Sequence, residues 1–527
     1  MANADPSPLE LELKLRLPRP AVRALLKDPA LATVRRGRTQ RKRLVASYFD
    51  TEDTRLAQTG VILRLRREGG RWVQAVKGPS DGRGGAGLAA RPEIEWPRGR
   101  SPQMPALDAQ CLVATPWRRE LLKALKRGLK PLVTTDVERT SVPLVFPDGT
   151  AAFLAIDIGE IRVEGAEALP ISEVEIELED GDVEPLYRFA QTLATEHPLT
   201  LEPKSKAERG FTLLHPTVAE PERARDAALD KKTNAADAMA AILRACARQI
   251  EGNADGLVAD DDPEWVHQMR IGTRRLRAGL AMLRDFVPAD LLAPVAADAR
   301  WLARTLGPAR DLDVLVLETL PLIFKAVREG GDDAMHTPLN TFSERAMQHR
   351  VEARAAARSA VTSQRFVQLI LGVGALAASP RLGAQEGSPA AVALARPARA
   401  LAQPLLKRRY RKLMKRGENL PHVPAEARHA ARLAAKRLRY ATEFFAVLFS
   451  RKRTRVFRDS LTRLQDVLGT MNDAEVAAQL AAEVVGAGST SAAMLRGWAA
   501  ASTSTQTAAL ARGWKSFQRT PTFWDRG

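Results

Sequence analysis

The sequence predicts a multidomain α+β protein in which an antiparallel β part is followed by an all-α part that is internally duplicated. Three observations predict it. Short apolar-polar alternations broken by Gly and Pro run from residue 9 to about 215. From about Glu222 the texture changes to Ala, Leu and Arg at helical spacing. The helical part also matches itself at one fixed offset.

Within the first part, Leu9 to Leu17, Val61 to Arg66, Trp72 to Lys77 and Glu173 to Leu178 read as strands, with helices at Ala21 to Leu26 and Pro185 to Thr195. The polar stretch Pro216 to Lys232, holding Pro221, reads as a linker. The expected division is 1–215 for the β domain, 216–232 for the linker and 233–515 for the helical domain. A break rich in Gly, Pro and Ser at Ser379 to Pro389 divides the last into halves of about 233–378 and 390–515. Across that break His267, Arg270, Arg274, Arg275 and Arg277 recur 162 positions later as His429, Arg432, Lys436, Arg437 and Arg439. Leu306, Gly307, Asp311 and Val314 recur as Leu468, Gly469, Asp473 and Val476. One ungapped register for all of these implies two related bundles about an approximate two-fold axis.

The chain of 527 residues is 45% hydrophobic and 27% charged, which sets aside disordered, collagen-like and membrane classes. Its net charge of +18 points to a polyanionic partner. That charge is uneven: residues 1–220 hold 33 Lys+Arg and 31 Asp+Glu, whereas residues 221–527 hold 47 and 31. The polyanion therefore belongs to the helical part. Only Cys111 and Cys246 occur, too few for a disulfide framework and without zinc spacing. Met1 to Pro8 has no apolar signal-peptide core, and the longest apolar stretch, Phe366 to Ala378, is short and contains Gln368. A soluble cytoplasmic protein with no membrane partner is expected.

In a strand, residues two apart share a face. Glu10, Glu12, Lys14 and Arg16 thus line one face of the first strand, with Leu9 to Leu17 on the other. Arg64 with Arg66, Arg91 with Glu93 and Glu95, and Glu173 with Glu175, Glu177 and Glu179 repeat the pattern. A single such strand is explained by solvation; several are not. Rows of carboxylates repel unless a cation neutralises them, and hard oxygen ligands suit Mg²⁺ or Mn²⁺. Rows of Arg suit a chain of phosphates, whose oxygens they grip in bidentate fashion.

Taken in order, Glu10-Leu11-Glu12-Leu13-Lys14, Tyr48-Phe49-Asp50-Thr51, Gly60 with Leu63 to Arg66, Trp72 to Lys77, Arg91 to Glu95, Arg139, Asp157, the Glu173 to Glu177 row and Ser205-Lys206 with Arg209-Gly210 resemble the CYTH superfamily of triphosphate tunnel metalloenzymes. The resemblance implies an antiparallel β-tunnel that acts on triphosphates with a divalent metal. By position it implies Glu10, Glu12, Glu175 and Glu177 as metal ligands. It implies Lys14, Arg64, Arg66, Lys77, Arg139, Lys206 and Arg209 as substrate-binding residues, and Glu10, Glu12, Lys14 and Asp157 as the catalytic set. Ala75 departs from the family, which has a small hydroxyl residue in that strand. The inferred chemistry is metal-assisted hydrolysis of a phosphoanhydride without a covalent nucleophile.

On a helix His267, Arg270, Arg274 and Arg277 fall within an arc of about 80°, turned away from the Met269, Leu276, Leu280 and Leu283 stripe. Val266 to Arg284 and Ala427 to Thr442 contain no acid, unlike a solvated face that mixes signs. These helices, with the Leu306 to Asp311 turn, resemble the CHAD domain. That resemblance implies inorganic polyphosphate binding through His267, Arg270, Arg274, Arg277, His429, Arg432, Lys436 and Arg439. Arg310 has become Asn472 in the second copy.

The leading expectation is an inorganic triphosphatase that cleaves tripolyphosphate to phosphate and pyrophosphate and carries a polyphosphate-binding helical domain. Association with polyphosphate granules follows from that second property. Three alternatives stand beside it: a polyphosphate-granule binding protein with weak or no catalysis, a triphosphatase or cyclase acting on thiamine or nucleoside triphosphate, and non-specific nucleic-acid binding by the helical part. Aromatics at 5% and the lack of a base-reading motif argue against a specific nucleic-acid partner.

Overall fold

The structure is a computed structural model describing residues 8–80, 84–216, 219–331 and 333–525. Met1 to Ser7, and residues 217 and 218 of the expected linker, lie outside the described residues.

The β part closes on itself. Nine strands, β1 (Leu9–Arg16), β2 (Gln40–Asp50), β3 (Ile62–Glu68), β4 (Arg71–Lys77), β5 (Leu88–Arg100), β6 (Lys130–Val145), β7 (Ala151–Val163), β8 (Leu169–Asp180) and β9 (Thr200–Leu201), lie in the order β5-β4-β3-β2-β6-β7-β8-β1-β9. β5 also pairs with β1, Leu13 opposite Leu88, so β1 to β8 form an antiparallel barrel. Closure abolishes the sheet edges and turns one face of every strand inward. The outward face is apolar: Leu63, Leu65, Trp72 and Val76 pack under short helices at Ala109–Val113 and Arg118–Arg127.

The interior is not charged throughout. Near one end Val133, Val137, Ile161 and Ile171 form a cluster under helix α2 (Lys206–Leu214), joined by Ala207 and Phe211. Gly210 permits this approach, since a Cβ there would meet Val133 Cγ1 at 2.2 Å. A capping box between Ser205 and Glu208 opens the helix and points Lys206 into the barrel.

Contacts divide the chain into Met1–Glu220 with Thr362–Ser379, and Pro221–Val361 with Pro380–Gly527. One helix therefore departs from a linear division. α7 (Gln364–Ala378), inside the expected first repeat half, packs on α1 (Glu184–Glu196) of the barrel unit. Gln368 Nε2 donates to the Gln191 carbonyl (2.7 Å) and to Thr195 Oγ1 (3.2 Å). Gly374 lies flat on the Tyr187 ring, and the Tyr187 hydroxyl donates to the Gly85 carbonyl (3.2 Å). The apolar run that is too short for a membrane is thus a nearly all-round buried helix. No single helix among the described residues is long and apolar enough to cross a membrane.

The second unit is built from the two copies. α3 (Ala235–Glu251), α4 (Pro263–Leu280), α5 (Ala289–Val314) and α6 (His336–Val361) make the first; α8 (Ala398–Arg416), α9 (Ala425–Phe445), α10 (Arg451–Val485) and α11 (Thr490–Gln518) make the second. α4 and α9, and likewise α5 and α10, begin 162 residues apart. Ala235 N–H donates to the Arg396 carbonyl and Ala398 N–H to the Thr233 carbonyl, a reciprocal pair that an approximate two-fold axis produces. The stripe of Met269, Leu276, Leu280 and Leu283 is buried, as its spacing predicts.

Candidate active site and basic groove

The barrel encloses a cavity of about 210 Å³ lined by seven cationic and seven anionic side chains. Eleven of the residues expected from the sequence lie on its wall: Glu10, Glu12, Lys14, Arg64, Arg66, Lys77, Arg139, Asp157, Glu175, Glu177 and Lys206. Arg209 does not; it is drawn aside by Glu173 and by Glu202 (3.3 Å). Tyr48, Thr135, Ser205, Arg91, Glu93 and Glu95 line the cavity as well. The alternation of Arg91, Glu93 and Glu95 signals that face, whereas Tyr48 and Ser205 carry no periodic signal.

Strand register sorts the charges into two groups. Lys14 stands opposite Glu175 and Arg16 opposite Glu173 on β1 and β8, while Arg139 stands opposite Asp157 on β6 and β7. Arg139 grips Asp157 with two bonds (2.7 and 2.6 Å) and reaches Glu175 (2.5 Å). Lys206 joins Asp157 (2.7 Å), Glu175 (2.8 Å) and Glu173. Oxygens of Asp157, Glu173 and Glu175 come within 4.8 Å of one another, close enough to share a metal ion, but Lys206 sits among them. Burial opposes charge on Glu175, yet Lys206, Arg139 and Lys14 hold its carboxyl well below the usual range.

The second group is more sparsely paired, Lys77 meeting Glu10 and Lys14 meeting Glu12. Glu12 stands opposite Glu177, with Glu10 two residues along the same face of β1. Glu177 makes no ion pair among the described residues, and burial with Glu10, Glu12 and Glu175 nearby pushes its carboxyl up to about 7. Burial also raises Glu12, partly offset by Lys14 at 2.9 Å. Hard carboxylate oxygens on facing strands suit a divalent cation, although among the described residues only those of Asp157, Glu173 and Glu175 gather within 4.8 Å of one another. On the far wall Arg64 meets Glu93 (3.0 Å) and Arg66 meets Glu95 (3.3 Å), yet Arg64 Nε and Arg66 Nε are buried without a hydrogen-bond partner. Arg64 and Arg66 line the cavity and keep donor capacity that their carboxylate partners do not use, which fits an anion.

In the helical unit α4 and α9 bring their basic faces together. Burial followed by repulsion from Arg274, Arg432 and Arg270 pushes Lys436 down to about 6. Burial and Arg274 push Arg270 down to about 10, although Asp311 lies 3.0 Å away. Arg432 Nη1 donates to Asn472 (2.7 Å), while its Nε is buried and unpartnered. The eight expected residues are not equivalent. Arg439 is held by Glu443 (3.1 Å) and Gln465 (3.2 Å). His429 is exposed, whereas His267 is half-buried and its imidazolium is disfavoured by burial and by Arg310. Repulsion from Arg300, Arg437 and Arg304 also bears on Arg277, so α5 supplies two cations that the repeat pattern does not predict.

Residues 8–211 match the CYTH domain and residues 241–482 the CHAD domain. This chain is a CYTH domain followed by a CHAD domain. The chain is similar to an inorganic triphosphatase of Haemophilus influenzae, 32% identical over 167 residues; the match spans 32% of this chain and 45% of that relative, less than half its length. The CHAD part is similar to the solved CHAD domain of Ricinus communis, at 30% identity over 58% of this chain and 99% of that one, with a TM-score of 0.49. A solved Hippeastrum protein, described as an adenylyl cyclase with a dominant triphosphatase activity, is 21% identical over 38% of this chain and 95% of its own, with a TM-score of 0.28.

Proposed function

We propose that the CYTH tunnel is an inorganic triphosphatase that cleaves tripolyphosphate to phosphate and pyrophosphate, and that the CHAD unit binds inorganic polyphosphate. The observation that carries the first part is the uneven pairing of charge inside the barrel. Arg64 and Arg66, each with an unpartnered Nε, line the same cavity as Glu10, Glu12 and Glu177; Lys77 meets Glu10 and Lys14 meets Glu12 (2.9 Å), whereas Glu177 has no ion pair among the described residues. The similarity to a triphosphatase supports the same reading.

Arg64, Arg66 and Lys77 grip the terminal phosphates, exchanging their internal carboxylate partners for substrate oxygens. Lys14, Arg139 and Lys206 offset charge that develops on the leaving phosphate. Glu10, Glu12 and Glu177 would hold a divalent cation, Mg²⁺ or Mn²⁺, which when bound would supply Lewis-acid neutralisation of phosphate oxygens. Asp157 and Glu175 keep Lys206 and Arg139 charged and oriented. The tunnel offers one aromatic, Tyr48, among its lining residues, which favours a substrate without a base.

Phosphate release by the full chain from tripolyphosphate, thiamine triphosphate and ATP, each with Mg²⁺ and Mn²⁺, tests this. The expected result is metal-dependent release fastest from tripolyphosphate and lost in Glu12→Gln. Preferential formation of cyclic AMP from ATP overturns the hydrolase reading. Inactivity with every metal, with polyphosphate still bound, leaves binding as the function.

A further inference from the structure

The paired faces of α4 and α9 account for only part of the CHAD unit's charge. Residues 221–361 carry 20 Lys+Arg and 21 Asp+Glu, whereas residues 380–527 carry 26 and 10. The surplus sits on the second copy alone, although the groove draws on both.

Its largest share lies on α8. Lys407, Arg408, Arg411, Lys412 and Lys415 are all exposed and fall within an arc of roughly 140° on that helix. α8 contains no acid. Like charges three and four residues apart destabilise a helix, and a merely solvated face mixes signs. The reciprocal pair relates α3 to α8 by 163 residues, and in that register these five positions become Arg244, Ala245, Arg248, Gln249 and Gly252, of which only Arg244 and Arg248 are charged and both are half-buried. The first copy therefore has no such face.

The face is continuous with the groove. Arg277 of α4 feels Arg437 of α9. Arg409 of α8 donates to the Arg437 carbonyl (2.8 Å), and repulsion from Arg437 and Arg408 bears on its guanidinium. Arg408 lies 3.6 Å from Asp285, just beyond the end of α4. The cations thus run unbroken from Arg270 and Lys436 through Arg437 to Arg409 and out along α8. Tyr410, the aromatic within this run, is turned into a cluster with Phe457, Phe517 and Trp524 and offers no stacking surface.

We infer that α8 is a one-sided extension of the CHAD groove, which selects long linear polyphosphate by holding the part of the chain that the paired groove cannot reach. The inference rests on the polyphosphate-binding reading of the groove and adds chain-length selectivity and direction to it.

The test uses the full chain carrying Glu12→Gln to prevent hydrolysis, and compares binding of a long-chain and a short-chain polyphosphate across a salt series. The triple variant Arg411→Glu, Lys412→Glu, Lys415→Glu is expected to lose about tenfold in long-chain affinity with a shallower salt dependence, and to keep short-chain affinity within about twofold of the parent. Arg274→Ala, in the paired groove, is expected to weaken both. Equal losses for both chains, or no loss for the long one, overturn the extension. So does a triple variant that loses duplex RNA or DNA binding while keeping long-chain polyphosphate. If the parent binds neither polyphosphate, the groove reading itself fails.

Discussion

Glu12 and Glu177 face each other across β1 and β8, an arrangement that costs stability until a cation joins them. Glu177→Gln is therefore expected to raise the stability of the chelated protein by about 0.5 kcal/mol while removing the stabilisation that Mg²⁺ or Mn²⁺ confers. Denaturant melts with and without metal measure both, and a metal-induced gain that survives the substitution contradicts this ligand assignment. Lys436 presents the opposite problem, an ammonium among Arg270, Arg274 and Arg432 with only Asp473 in compensation. Its folded value of about 6 lies below the ordinary 10.5, so between these limits the unfolded chain binds the extra proton. Stability of the CHAD unit accordingly rises with pH through that window, and the penalty of the crowded ammonium is fully present below about 6. A bound polyanion reverses the balance. Polyphosphate binding near neutral pH is expected to take up a proton, seen as a calorimetric heat that depends on the buffer's ionisation enthalpy and vanishes in Lys436→Met.

At the scale of elements, α7 shows how a helix can belong to a unit that its sequence position does not suggest. Its glycine at 374 lets the backbone lie on the Tyr187 ring, where a Cβ would come within 2.0 Å of Cε1. Leu371 reaches toward Gly87, whose carbonyl accepts from the Lys14 N–H at 3.4 Å, beside the β1–β5 closure. Gly374→Leu is expected to destabilise the barrel unit by about 1–3 kcal/mol, with Gly374→Ala less severe. Differential scanning calorimetry checks this, and an unchanged melting profile contradicts the packing. Existence and period of β1, β3, β4 and β8 are legible from alternation, since one face of each had to be buried. The long β6 and β7 are not, because Lys130 to Val145 mixes Thr, Pro and charge with its apolar residues.

For the whole molecule, the placement of α7 alters how the chain can be divided. Residues 1–220 alone lack the helix that covers Tyr187, Gln191 and Thr195 of α1, a stripe at i, i+4 and i+8. Uncovering a few apolar side chains costs about 3 kcal/mol or more, equivalent to a melting point lower by roughly 5–10 °C for a unit of this size. Thermal melts of the 1–220 fragment against the full chain test this; equal stability contradicts an integral role for α7. The net charge of +18 divides unevenly between the two domains. Inside the tunnel acids and bases nearly cancel. The surplus gathers on the CHAD unit, and within it on the second copy.

By itself the sequence determined the β-then-α order, the duplication at offset 162, the charged inner face of the strands and the matching of both domains. Period-two alternation, helical spacing and motif order are properties of local sequence, so they can be read without coordinates. Tertiary structure decided what depends on which strands become neighbours. Register, not spacing, set Glu175 against Lys14 and left Glu177 against Glu12. It also sent Arg209 to Glu173 and Glu202, away from the cavity wall. Folding carried α7 across more than a hundred residues of chain to cover the barrel, and joined α8 to the groove through Arg409 and Arg437. Those contacts join residues far apart in the chain, and no local pattern encodes them.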